Sequence, residues 1–64
     1  MNNNRLFMVQ LAGGDPGDKA YQQSVNAASV EEFESCLVFT SSDGSLAAYF
    51  DSSAVLSWHE VIRD

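Results

Sequence analysis

The chain has 64 residues, 45% of them hydrophobic and 11% aromatic, with a formal net charge of −6. Disorder requires low hydrophobicity with high charge, and a second domain has no room, so residues 1–64 read as one folded domain. Three Lys and Arg stand against nine Asp and Glu; without cations to displace counterions from phosphates, direct nucleic-acid binding is excluded and an anionic membrane surface disfavoured.

The distribution of charge says more than its total. Arg5 and Lys19 precede the middle of the chain and Arg63 stands at its end, while Glu31, Glu32, Glu34, Asp43, Asp51 and Glu60 fill the interval without a cation. One cysteine, Cys36, rules out an internal disulfide, and no Cys/His cluster suggests a structural metal. A domain of this size buries only about 60% of its unfolded surface. Self-association is the remaining source of buried area, so a homodimer or a higher oligomer is expected. The opening MNNNRLFMVQLAGG offers an apolar run too short for a signal peptide or membrane span, which points to the cytoplasm.

Residues 1–4 read as a frayed polar end. Residues 5–12 (RLFMVQLA) form the first expected strand, with Phe7, Val9 and Leu11 on one face and Leu6 and Met8 on the other. Apolar residues on both sides suggest a strand covered on both faces. GGDPGD, residues 13–18, breaks the pattern, because proline presets φ and glycine accepts tight turns. Residues 19–27 alternate as a half-solvated second strand, Tyr21, Gln23, Val25 and Ala27 sharing a face.

Residues 28–35 carry two signals. Ser29 with Glu32 is a capping box, and Val30, Phe33 and Leu37 have helical spacing, which favours a short helix around 30–37. The other reading, adopted here, is a strand over 28–32 with a turn near Glu34 and Ser35. CLVFT (36–40) and LAAYF (46–50) flank SSDGS and read as a hairpin, Leu37 and Phe39 facing Leu46, Ala48 and Phe50. Residues 54–62 (AVLSWHEVI) read as the longest strand, with Leu56, Trp58 and Ile62 on one face and Val55 and Val61 on the other. Trp58 is placed at the centre of the core, with an interface role as its alternative. The expected fold is all-β: a small five- to six-stranded antiparallel barrel or strongly bent sheet.

The pattern CLVF at 36–39, Asp43-Gly44, Ala48 with Phe50, and the closing run from Ser57 to Val61 resembles a widespread class of very short prokaryotic and phage proteins. The resemblance covers residues 28–61. It implies strands and a bacterial or phage source, hence a bacterial cytoplasm or infected cell. It carries over no functional residue.

Candidate chemistry is sparse. His59 and Cys36 cannot supply the three or four ligands of a zinc site, and no cation neighbours Cys36 in sequence to make a reactive thiolate. No nucleophile elbow, phosphate loop or calcium loop is present. No enzyme activity, cofactor or metal is expected. What remains is an acidic surface suited to a protein partner with a basic face, as in a phage- or mobile-element-encoded inhibitor of a host protein. Glu31, Glu32, Glu34, Asp43 and Tyr49 are its candidate contact residues. The alternative is an oligomeric binder of nucleotides or metabolites, with a pocket built between subunits.

Overall fold

The computed structural model describes residues 4–14 and 17–62. Its elements follow the order β1 (Arg5–Leu11), β2 (Tyr21–Ala27), β3 (Ser29–Glu32), β4 (Cys36–Thr40), β5 (Leu46–Asp51), a 3₁₀ turn (Ser52–Ala54) and β6 (Val55–Glu60). The fold is all-β. No helix forms around 30–37, because Ser29–Glu32 ladders against Leu37–Thr40. That pairing satisfies the backbone groups that β3 and β4 turn towards each other and sets Val30 opposite Phe39, where it packs on the core. A one-residue-scale cap cannot compete with both gains.

The strands form two three-stranded antiparallel sheets, β2–β1–β6 and β3–β4–β5. Ala28 alone separates β2 from β3, so the chain passes between sheets through one residue, whose N–H donates to the Thr40 carbonyl at 2.8 Å. A closed barrel does not form: among the described residues no ladder joins the two sheets. Nor is the last strand the longest, since β6 has six residues and β1 and β2 have seven.

Both sheets contribute one face to a common core of Phe7, Val9, Leu11, Val25, Ala27, Leu37 and Phe39, all buried. Alternation explains which residues these are: β1 and β4 are central strands, and every second residue points inward. Phe39 is the junction, its ring 5.3 Å from Phe7, 6.0 Å from Phe50 and 6.3 Å from Trp58. Trp58 is half-buried and packs on the flank of this cluster, so the expected centrepiece is a wall. On the other face of β1, Leu6 and Met8 are already half-buried, Met8 lying between Ser24 and His59.

Two bulges alter the expected faces. Gln10 pairs with Ser57 but Leu11 pairs with Val55, skipping Leu56. The shift persists, as the Ala12 N–H donates to the Ala54 carbonyl at 2.9 Å. Val55 therefore joins the core and Leu56 is left 58% exposed. In the other sheet Phe39 pairs with Ala48 and Thr40 with Leu46, skipping Ala47. Leu46 is thereby turned away from Phe39 and exposed. An extra residue on one strand inverts the side-chain alternation beyond it.

The turn between β4 and β5 is closed by Gly44 N–H donating to the Ser41 carbonyl at 2.9 Å, with Gly44 at φ +90. This left-handed conformation suits glycine. The Asp43 carboxylate accepts from the Ser45 hydroxyl at 2.6 Å and the Ser45 N–H at 2.9 Å. Those bonds, the hydroxyl first, hold the Asp43 carboxyl below its ordinary pKa. Its ionised form thus supports the turn fully above the unfolded-state pKa of about 4, and the support is lost as pH falls through the lower folded value. An NMR titration of Asp43 is expected to give a midpoint below that of aspartate in an unstructured peptide, and Ser45→Ala to raise it.

The frayed end expected at 1–4 lies outside the described residues except Asn4, whose side-chain oxygen accepts from the Ser42 N–H at 2.9 Å. Asp15 and Pro16 of the Gly-rich loop, and Arg63, also lie outside them. The loop nevertheless joins a hairpin as expected, β1 pairing with β2 over seven residues.

Candidate protein-interaction surface

The outward face of the β3–β4–β5 sheet follows from the same alternation that builds the core. Leu37 and Phe39 point inward from β4, so Cys36, Val38 and Thr40 point outward. Three rows cross the strands there. Ser29, Thr40 and Leu46 form one; Glu31, Val38 and Tyr49 form the next. Asp51 lies opposite Cys36, and the Phe33 N–H donates to the Cys36 carbonyl at 2.8 Å, bringing Phe33 to the other end of that third row.

The result is an apolar strip open to solvent, Tyr49 being 56% and Phe33 49% exposed. Single exposed apolar residues are ordinary, whereas a contiguous set rimmed by charge is a candidate contact surface. Glu31 and Asp51 stand at its edges, and no Lys or Arg occurs between residues 19 and 63. The Tyr49 phenol is held above its ordinary pKa, first by Coulombic interaction with the neighbouring Cys36 and then by a side-chain hydrogen bond with it.

The candidate contact residues do not form one strip. Glu31 and Tyr49 share a row on either side of Val38. Glu32, one residue on, has the opposite parity and lies opposite Leu37. Glu34 sits in the turn between β3 and β4, where Ser52 fixes the backbone: its hydroxyl donates to the Glu34 carbonyl and its N–H to the Ser35 carbonyl, both at 3.1 Å. Asp43 is at the far end of the sheet and committed to Ser45. Phe33, Val38, Leu46 and Asp51 were not singled out from sequence. Continuing the period-2 pattern of β4 back across a two-residue turn would have found Phe33.

A second feature is a groove of about 290 Å³ at the open seam between the sheets, where Glu32, Leu37 and Ser52 face Val55, Leu56 and Trp58. Its volume is at the lower end of the range for small-ligand pockets, about 300–1,000 Å³. His59 and Cys36 lie on different sheets, and among the described residues no group of three His, Cys, Asp or Glu could hold a metal ion. No helix among them is long and apolar enough to cross a membrane.

In comparison with known proteins, the chain matches no family model, no curated protein and no solved structure. The pattern across residues 28–61 is thus a likeness of hairpin grammar, and it assigns no activity.

Proposed function

We propose that this chain is a non-enzymatic protein-interaction module that docks a partner with a basic surface through the outward face of β3–β4–β5. The observation carrying the reading is the row Glu31–Val38–Tyr49, an exposed aromatic and a carboxylate bracketing an apolar residue in a segment without a cation. Aromatic anchors dominate binding energy, and complementary rim charges govern encounter rate and choice of partner. Small size and one-sided charge favour, within this class, an inhibitor encoded by a phage or mobile element that covers a basic groove of a host protein. Its place of action is the cytoplasm of the bacterial or infected cell.

The test compares the wild-type chain with Tyr49→Ala and with Glu31→Lys, the reversal of the carboxylate in that row. Affinity capture from the host, with mass-determined stoichiometry, identifies the partner, and titration then gives its Kd at two salt concentrations. Tyr49→Ala is expected to weaken binding by about tenfold or more, ~1.4 kcal/mol. Glu31→Lys is expected to lower the association rate and weaken its salt dependence. Unchanged affinity and unchanged salt dependence in both would remove the proposal.

The groove supports a second reading, a small-ligand site completed by another subunit, because Trp58 and Leu56 offer apolar walls around one carboxylate, Glu32. Thermal-shift screening against nucleotides and metabolites separates the two, since a ligand at a hundred times its Kd stabilises by about 2.7 kcal/mol.

A further inference from the structure

The inner rows of the β3–β4–β5 sheet are Val30–Phe39–Ala48 and Glu32–Leu37–Phe50. All of these residues belong to the core or pack against it except Glu32. Alternation turns the Glu32 carboxylate to the same inner side as Val30, where it borders the groove at the open seam together with Leu37, Val55, Leu56, Ser57 and Trp58. An apolar residue at this position would bury area against Leu37. The carboxylate forgoes that gain and sets a negative charge beside apolar walls. Among the described residues Glu32 has no ion pair, the single salt bridge being Arg5–Glu60.

The opposite wall is shaped by an independent feature. Because Gln10 pairs with Ser57 and Leu11 with Val55, Leu56 is the extra residue of the β6 bulge, and its side chain borders the groove instead of the core. Re-aiming a side chain in this way is what bulges beside binding sites do.

We propose that the groove binds a small organic cation, an ammonium or guanidinium head on an apolar body, with the head against Glu32 and the body against Leu56, Val55 and Trp58. The proposal rests on the reading of the groove as a small-ligand site and names its ligand class. Both walls come from one chain, so binding needs no second subunit. Nucleotides are disfavoured, because their phosphates would meet Glu32.

Two attractions converge on the head. A carboxylate supplies one, and an indole supplies the other, since aromatic rings draw cations within about 6 Å of their centroid. The net charge of −6 enriches cations around the whole chain. A volume of about 290 Å³ equals that of about ten waters, which suits a ligand of about ten non-hydrogen atoms or fewer.

Three probes with one body and different heads test this: n-hexylammonium, 1-hexanol and hexanoate. Each is titrated into the full chain and followed by fluorescence of Trp58, the sole tryptophan, and by amide chemical shifts. Hexylammonium is expected to bind with a Kd in the roughly millimolar range, shifting Leu37, Leu56 and Trp58. Hexanol is expected to bind about tenfold more weakly, having neither charge pair nor cation–π contact, and hexanoate more weakly still. Glu32→Gln should weaken hexylammonium by about three- to fivefold and leave hexanol unchanged. Glu31→Gln removes the same charge from the outer row and should change binding by less than about twofold.

Hexanol or hexanoate binding in the groove as tightly as hexylammonium would overturn the cation and keep the small-ligand reading. Equal losses in the two glutamine variants, or shifts confined to residues outside the groove, would assign the attraction to net charge and overturn the site. Binding of none of the probes would overturn both, leaving Glu32 as an inward charge that guards the β3 edge.

Discussion

Replacing Phe39 with alanine is expected to remove about a third or more of the chain's folding stability at 25 °C. Phe39 is fully buried and touches three other rings, from β1, β5 and β6, at centroid distances of 5.3, 6.0 and 6.3 Å. Truncating a core phenylalanine costs about 3–5 kcal/mol, the lost transfer energy plus the cavity left behind. At 0.05–0.15 kcal/mol per residue, a chain of this length holds about 3–10 kcal/mol in total. The substitution therefore removes between about a third and all of it. No disulfide stands in reserve, because Cys36 is the only cysteine. Trp58 is the built-in probe: it is the sole tryptophan and lies against Phe39, so its fluorescence during urea unfolding reports the loss of that contact directly. Phe33→Ala is the control of equal chemistry and opposite placement, expected to move the midpoint little because Phe33 already faces solvent in the β3–β4 turn. A Phe39→Ala protein with a wild-type urea midpoint would show that the two sheets do not share this core.

Much of that core was legible beforehand. Phe7, Val9 and Leu11 alternate without interruption, as do Leu37 and Phe39, and both strands turned out to be central. The hairpins were legible for a different reason: GGDPGD and SSDGS combine residues whose backbone preferences end strands, and Gly44 takes the positive φ its turn requires. The acidic run at 31, 32 and 34 does not lie on one face of the strand. Adjacent glutamates look like one charged patch in a sequence, yet on a strand they must divide between two faces, Glu31 to the outer row and Glu32 to the groove. The patch reading suits a helix or a loop. The strand reading leaves the aromatic Tyr49, chosen from its parity beside Ala48 and Phe50, as the better-founded contact residue, because only one bulge intervenes in β5 and it lies before Ala48. Strand faces were thus legible wherever alternation ran unbroken.

Where alternation is broken the sequence carries no mark, and β6 provides the test with the largest contrast. Alternation back from Trp58 places Leu56 inside and Val55 outside. The ladder reverses this: Val55 lies opposite the buried Leu11, and Leu56 is the residue skipped. Nothing in AVLSW announces the extra residue, since valine and leucine are equally apolar and a bulge needs no glycine. Val55→Asp is accordingly expected to destabilise by roughly 2–4 kcal/mol, because a carboxylate there is pressed against Leu11 and the core without a partner. Leu56→Asp adds the same group one residue away, on a side chain already 58% exposed, and is expected to stay within about 0.5 kcal/mol of the wild type. Paired urea titrations followed by Trp58 fluorescence measure both. The difference also bears on the groove, since Leu56 and Val55 both border it. Leu56→Asp should change what the groove admits while leaving the fold intact. Equal losses in the two variants, or the larger loss at Leu56, would restore simple alternation and remove the bulge, and with it the wall that Leu56 gives the groove.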